Sequence, residues 1–322
     1  MPSRYLNASY SVFSYAVKRA TGISVNLPLP PAISVELSSR CNLACPECVT
    51  GAGLLQRKNE FISHSLAEKI AGELRGHTLS AWLSFQGEPM MHPRFFDIVD
   101  LFGEMHPVIS TNGHYLGEEA CLRLAASRLR KIIISYDGVS PGVYSLYRRG
   151  GNHRVVTEGI RRLTAVIREK GSGPETVLQF LLHRGNEHEA TAAAELASSL
   201  GAGFTIKSMH VLDNERAGEW MPAGSGRSRY IMSGGEWKPA ASPSRGCLRM
   251  WTAAVITTDG DVVPCCYDKN AGHVMGNLND QTFRDIWYGR QYTTFRNTVM
   301  KSRSLIDICS NCPQGKRIFF KR

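Results

Sequence analysis

Cys41, Cys45 and Cys48 form a C-x3-C-x2-C array directly after the apolar run Ile33–Leu37. Close spacing on one loop lets three thiolates point inward together, which is what an iron–sulfur cluster needs. Three thiolates on a four-iron cluster leave one iron without a protein ligand, and an open coordination position means chemistry there rather than electron storage alone. Zinc is the competing metal, but structural zinc takes four protein ligands and no nearby His completes the set. Five further cysteines lie near the C-terminus: Cys247, Cys265, Cys266, Cys309 and Cys312. Only Cys309 and Cys312 form a C-x2-C pair, whereas a zinc ribbon shows two. The ninth, Cys121, sits in a helical pattern and reads as core.

The elements that must carry these residues alternate regularly. Strand-like runs fall at Ile33–Leu37, Leu79–Phe85, Val108–Ser110, Lys131–Tyr136, Val177–Leu182 and Phe204–Ser208. Helix-periodic stretches lie between them at Ser65–Arg75, Arg94–Gly103, Glu118–Arg128, Val155–Lys170 and Glu187–Leu200. Such alternation implies an α/β fold with a parallel sheet, a partial (β/α)6 TIM-like barrel, with a doubly wound sheet as the alternative. Gly-, Ser- and Pro-rich sequence around Gly224–Arg229 and Pro239–Gly246 reads as a linker or lid. Beyond it, Ala253–Thr258 and Val262–Val263 flank Asp259-Gly260, a hairpin-turn signal, and a short helix is expected at Thr282–Tyr288. The division expected is an N-terminal extension (1–30), the partial barrel (31–220), a linker (221–246) and a small C-terminal α+β extension (247–322). The aromatic N-terminal segment, with Tyr5, Tyr10, Phe13 and Tyr15, reads as a short amphipathic helix packed on the enzyme's own body.

With 322 residues, 43% hydrophobic and 20% charged, the chain has ordinary globular composition. Two tight cysteine groups and an odd cysteine count argue against a secreted disulfide framework. No signal-peptide pattern and no membrane-spanning run is seen, so a reducing, cytoplasmic setting is expected. The formal net charge is +10, but the basic residues are dispersed, so a nucleic-acid partner is not expected.

The stretch Cys-Asn-Leu-Ala-Cys-Pro-Glu-Cys, residues 41–48, resembles the radical S-adenosylmethionine (SAM) superfamily. The resemblance implies a [4Fe-4S] cluster on Cys41, Cys45 and Cys48, chelation of its open iron by SAM, and reductive cleavage to a 5′-deoxyadenosyl radical. Gly87-Glu88-Pro89 resembles the family's Gly-Gly-Glu-Pro motif, with Gln86 in place of the first Gly, and implies that Glu88 accepts from the cofactor's ammonium group. By the same resemblance Ser135 is a ribose contact, Ser110 and Asn112 add to it, and Arg148 pairs with the cofactor carboxylate. His183 and Lys207, with Gln179 and Asn186, lie at strand ends where substrate could be met, and His183 reads equally as an exposed strand-end residue.

The C-terminal cysteines, with Asp259-Gly260-Asp261-Val262-Val263-Pro264-Cys265-Cys266 and Gly276-Asn277-Leu278, resemble the SPASM or shorter "twitch" extensions that bind auxiliary four-iron clusters. Four thiolates can fully ligate one cluster and five cannot fully ligate two. The count therefore implies one auxiliary cluster on Cys247, Cys265, Cys309 and Cys312, nearer the twitch type than a sulfatase maturase. Cys266 is left as an alternative ligand to Cys265, a hydrogen-atom donor, or a buried inert thiol. The expectation is an oxidoreductase of dehydrogenase type, acting on a carbohydrate alcohol, with the auxiliary cluster as electron acceptor and flavodoxin or ferredoxin as reductant. The alternatives are a peptide-modifying maturase, a sugar epimerase using Cys266, and a non-enzymatic iron–sulfur electron carrier. The short stretch before the barrel weighs against a peptide-binding domain, and the substrate, small molecule or peptide, is not readable.

Overall fold

The protein, as a computed structural model, is described for residues 4–25, 27–240, 245–310, 312 and 319–321. In chain order the elements are α1 (Arg4–Thr21), β1 (Ala32–Val35), α2 (His64–Leu74), β2 (Ser80–Trp82), α3 (Phe95–Leu101), β3 (Val108–Thr111), α4 (Glu118–Ala126) and β4 (Lys131–Ser135). There follow α5 (Pro141–Tyr147), α6 (His153–Lys170), β5 (Glu175–Leu182), α7 (Ala190–Ser199), β6 (Gly203–Ser208), α8 (Ala217–Trp220) and the strands β7 (Tyr230–Ser233) and β8 (Glu236–Pro239). The C-terminal part holds α9 (Arg249–Thr252), β9 (Ala253–Ile256), β10 (Asp261–Val263), β11 (Gly276–Asn277), α10 (Phe283–Tyr288), α11 (Arg290–Lys301) and β12 (Phe319–Lys321). The six expected strands and five expected helices are all present, each within a few residues of its expected bounds. Local signals account for this. Ser63 and Asn152 accept from Leu66 and Val155 backbone N–H and so start α2 and α6, and Gly171, at φ +63°, ends α6. Ile132, Ile133 and Ile134 are all buried in β4, the continuous apolar run of a parallel strand covered on both faces.

The chain divides into two compact units, each drawn from several stretches of sequence. The first comprises residues 1–40, 55–108 and 243–310. Within it β1 pairs in parallel with β2 on one side and with β9 on the other, and β9–β10–β11 continue antiparallel. The C-terminal extension thus supplies a strand in register with the first strand of the fold, Ala32 opposite Ala253 through Val35 opposite Ile256. The second comprises residues 41–54, 109–242 and 311–322. Within it β4, β5 and β6 pair in parallel, and β12 lies antiparallel to β6. Phe180, Leu182, Ala190, Ala193 and Ile206 close the core between β5, β6 and α7.

Two features depart from simple pattern reading. α1 turns Asn7, Ser11 and Ser14 inward and leaves Tyr5, Leu6, Tyr10 and Phe13 exposed. Asn7 decides this orientation, because its Nδ2 donates to the carbonyls of Leu29 (2.8 Å) and His77 (2.9 Å), satisfying groups that would otherwise be buried without partners. α11 lies beyond the short helix expected at Thr282–Tyr288, and it buries Tyr292, Phe295, Arg296 and Val299 at helical spacing.

A buried ion pair ties β1 to the C-terminal extension inside the first unit. Arg57 meets Glu36 with both terminal guanidinium nitrogens at 2.8 Å, Glu36 also accepts from Thr258 N–H at 3.1 Å, and Arg57 Nε donates to Lys269 O at 3.0 Å. Removing one partner leaves an uncompensated buried charge, so Arg57→Ala should cost roughly 3–5 kcal/mol, and the double variant Glu36→Leu/Arg57→Met should lose less. Denaturant unfolding of the two variants checks both expectations; equal losses would show that the pairing is not what the cost depends on.

Candidate functional site

The cysteine loop belongs to the second unit. It folds back on itself through Cys48 N–H to Cys45 O (3.3 Å) and Ala52 N–H to Cys48 O (2.7 Å), while Ala44 N–H donates to Arg149 O (2.8 Å). Gly51 permits this, because a Cβ there would lie 2.6 Å from Cys45 N and 2.8 Å from Cys45 O. Leu43, Cys45, Tyr147, Met209, Val211, Trp220, Met221 and Tyr230 form one buried cluster, with Cys41, Cys48 and Trp237 packed against it. The stretch that reads as linker or lid therefore holds a β7–β8 hairpin whose Tyr230 and Trp237 wall the cysteines. The missed signal is Gly234-Gly235, both at positive φ (64° and 80°), between two strand-like tetrapeptides. Glu47, inside the motif, is also unannounced by the sequence. It is buried, accepts from Leu212 N–H at 2.8 Å, and stands 2.7 Å from Arg216 Nη1.

Two nitrogen donors reach the thiols. Asn112 Nδ2 lies 3.9 Å from Cys41 Sγ and donates to Asn42 Oδ1 at 2.8 Å. Arg148 Nη1 lies 3.8 Å from Cys45 Sγ, and its Nε donates to Asp137 Oδ2 at 2.5 Å. Burial would lower the Arg148 pKa, but Asp137 and the Cys45 thiol overcome it and hold the guanidinium charged. Burial pushes the Cys45 thiol up, and Arg148 opposes that push. The guanidinium that the sequence offers to a cofactor carboxylate is thus engaged by a carboxylate of the protein itself. Ser135 is buried at the end of β4, opposite Gln179 of β5, and Ser110 is half-buried in β3.

Asn186 and His183 are placed differently from their reading as substrate-facing residues. Asn186 is fully buried and spends its side chain on backbone, donating to Asp137 O and Leu181 O (2.9 Å each) and accepting from His183 N–H (2.8 Å). His183 is not an exposed strand-end residue but fully buried, edge-on to Trp220 at 5.4 Å, with its Nε2 lacking a hydrogen-bond partner. Burial pushes its pKa down to about 4. Lys207 is half-buried in β6, opposite Leu181.

In the first unit, Gly87 has φ +65°, and a Cβ there would lie 2.3 Å from Ser38 O and 2.6 Å from Arg40 O. The turn is therefore pressed onto the residues that lead into the cysteine loop, and Glu88 N–H donates to Arg40 O at 2.7 Å. Glu88 is buried, and its Oε1 accepts from Met90 N–H at 3.1 Å, capping the 3-10 turn that Pro89 begins.

The C-terminal extension places Cys247, Cys265, Cys266 and Cys309 in the first unit. Cys266 is half-buried, and Arg249 Nη1 stands 2.8 Å from its Sγ. It is therefore half-buried beside a cation rather than buried in the core. The Cys266 thiol, with those of Cys265 and Cys247, holds Arg249 charged against its burial. Cys265 is pushed up by burial and then by its neighbour Cys266. Cys312 is half-buried, with residues 311 and 313–318 outside those described. Cys121 is fully buried in α4, and burial raises its thiol to about 11.

These donor sets suit iron–sulfur clusters. Among the described residues none of the nine cysteines is in a disulfide, and both groups have a cation or amide set against thiol sulfur. No three His, Cys, Asp or Glu side chains among the described residues close around a single-ion site. A four-iron cluster takes one thiolate per iron and so spaces its thiolates more widely than one ion does.

Comparison with known proteins agrees. Residues 35–197 match the Radical SAM superfamily model, and residues 247–313 match SPASM, an iron–sulfur cluster-binding domain. The chain belongs to the Radical SAM superfamily, with a SPASM extension. Its first matched region is of the kind that binds a [4Fe-4S] cluster and SAM, its second of the kind that binds auxiliary iron–sulfur clusters. It is 27% identical over 316 residues to the PqqA peptide cyclase of Ruegeria pomeroyi, covering 89% of this chain and 81% of that protein. It is 25% identical over 287 residues to the S-adenosyl-L-methionine-dependent 2-deoxy-scyllo-inosamine dehydrogenase of Niallia circulans, covering 87% and 91%. The crystal structure of BtrN in complex with AdoMet and 2-DOIA shares the fold, with TM-score 0.56 and 21% identity over 89% of this chain and 94% of that one.

Gly51→Ala should open the loop and sharply lower the iron retained after anaerobic reconstitution, while Gly142→Ala in α5, with no atom within 4 Å of its added Cβ and no left-handed backbone, should not. Equal iron in Gly51→Ala and the parent chain would contradict the loop argument. His183, depressed in the fold, binds fewer protons folded than unfolded between about pH 6.5 and about 4. Stability should therefore fall as pH falls through that window, by up to about 3 kcal/mol, and His183→Gln should flatten the loss. Urea midpoints at pH 7 and pH 5 for both chains measure it.

Proposed function

We propose that this radical SAM enzyme is a dehydrogenase, oxidising a carbinol carbon of a small polyol or aminocyclitol by two electrons. Cys41, Cys45 and Cys48 are proposed to hold the catalytic cluster. Gly87, Glu88, Pro89, Ser110, Asn112, Ser135 and Arg148 are proposed to serve SAM. With both groups bound, the chemistry supplied is a 5′-deoxyadenosyl radical that removes a substrate hydrogen atom. The protein's own contribution is to hold the thiols, to keep a fixed positive charge at Cys45 through Arg148, and to exclude water with the Tyr147, Trp220 and Tyr230 wall.

The observation that carries the reading is the Arg249–Cys266 contact of 2.8 Å. It gives the fifth C-terminal thiol a partner of its own and leaves Cys247, Cys265, Cys309 and Cys312 as four thiolates for one auxiliary cluster. A fully ligated cluster has no position for substrate and is suited to accepting an electron. The dehydrogenase relative, matched over most of its length, supports a small-molecule substrate. The peptide cyclase relative supports a second reading, carbon–carbon bond formation within a peptide. An external one-electron donor of the flavodoxin or ferredoxin kind completes either reading. Among the described residues no helix is long and apolar enough to cross a membrane, and cysteines outside any disulfide suit a reducing compartment.

Anaerobic reconstitution should give about eight irons per chain, and Cys266→Ala should keep them. With SAM and dithionite the protein should release 5′-deoxyadenosine. A panel of polyols and aminocyclitols deuterated at the carbinol carbon should transfer deuterium into it with formation of a ketone. Deuterium uptake only from a peptide, with a cross-linked product, would replace the dehydrogenase reading by the second one. Absence of 5′-deoxyadenosine from protein holding about eight irons would overturn both.

A further inference from the structure

A cavity of about 540 Å³ lies in the first unit, beside α1, α10 and α11 and away from the Cys41–Cys48 loop in sequence. Its walls include Lys18, Ser24, Trp251, Thr293, Arg296 and Asn297, and no Asp or Glu among the described residues lines it. That volume falls within the range of small-molecule sites.

Arg296 gives the cavity its chemistry. The residue is only 6% exposed. Its guanidinium carbon lies 4.1 Å from the ring centre of Trp287 and 4.0 Å from that of Tyr292, two rings that meet edge to face. Nε donates to Met250 O at 2.9 Å and Nη1 to Trp287 O at 2.8 Å. Nη2 is buried without a hydrogen-bond partner, and no carboxylate pairs with the guanidinium among the described residues. A buried cation that lacks both a counter-ion and a full set of acceptors is costly, and an anion beside it removes both costs. Burial accordingly pulls its pKa down to about 10.

Lys18 adds a second cation. Its half-buried ammonium donates to Gly22 O (2.9 Å) and Ser24 Oγ (3.0 Å), both neutral acceptors, and no carboxylate among the described residues forms an ion pair with it. α1 carries no acidic residue at all. Arg284 stands 5.8 Å from the ring of Tyr288, another wall residue, so the surroundings are basic too. The Ser24 hydroxyl and the Asn297 amide supply neutral donors, and Trp251 and Leu27 supply an apolar wall.

The geometry points to a second small-molecule site, distinct from the radical site, that binds an oxyanion of the phosphate or carboxylate class against Arg296 and Lys18. The apolar wall favours an ester or an organic acid over a bare inorganic ion. Neither matched relative's name nor the radical chemistry calls for it, and it does not depend on the dehydrogenase reading.

Isothermal titration of the reconstituted protein at fixed ionic strength tests this, with inorganic phosphate, phenyl phosphate and succinate as probes. Two variants accompany it. Asn297→Asp keeps the shape of an exposed α11 side chain and puts a negative charge into the cavity wall; Lys18→Ala removes one cation. Saturable one-to-one binding of at least one probe, weakened about tenfold or more in both variants, supports the site. The preferred probe then separates a free anion, a phosphate ester and a carboxylate. Absence of saturable binding of all three below about 10 mM, or binding unchanged in either variant, overturns it.

Discussion

Asp137 is a carboxylate with no exposed surface, and much of the second unit is organised around keeping it satisfied. Its Oδ2 takes Arg148 Nε, its Oδ1 takes Leu181 N–H at 2.7 Å, and its backbone carbonyl takes Asn186 Nδ2. A buried carboxylate stripped of these partners would cost far more than any one of them contributes in water. The pairing therefore fixes three segments at once: the end of β4, the end of β5 and the turn after α5. From that turn Arg148 reaches Cys45 and the Arg149 carbonyl receives Ala44 N–H, so the cysteine loop inherits its position from an ion pair it does not itself contain.

The same loop is held on its other side by apolar packing and by Glu47. The Pro-Glu between Cys45 and Cys48 is more than a spacer, because the Glu47 carboxylate is buried and bound to the 212–216 segment. Behind it stand Met209, Val211, Trp220 and Tyr230, and Tyr230 in turn comes from the β7–β8 hairpin. A low-dielectric wall of this kind strengthens every electrostatic interaction beside it. It also explains why His183, edge-on to Trp220, is held neutral rather than left to titrate near neutrality.

In the first unit the C-terminal extension is built into the sheet instead of hanging from it. β9 extends the sheet beside β1, and Glu36 gathers Arg57 and Thr258 N–H at the end of that pair. The Arg249–Cys266 contact and the uncompensated Arg296 lie in the same extension. One cation there has a thiol partner and the other, among the described residues, has only neutral partners and an unpartnered Nη2, and this asymmetry distinguishes a paired residue from a candidate binding residue.

What the sequence by itself determined was everything written in short-range spacing. Cys41, Cys45 and Cys48 sit three and two residues apart, Gly87-Glu88-Pro89 is a contiguous turn, and the strands and helices follow local periodicity and capping residues such as Ser63 and Asn152. Those signals survive without a structure because they are satisfied within a few residues of where they occur. Tertiary structure alone decided the partners of single polar atoms: that Arg148 faces Asp137, that Asn186 spends itself on backbone carbonyls, that His183 is enclosed, that Cys266 meets Arg249, and that α1 turns its polar face inward. Each of these rests on groups brought together from distant parts of the chain, and the cost of burying an unpaired polar atom, which selects among them, has no signature in the residues on either side.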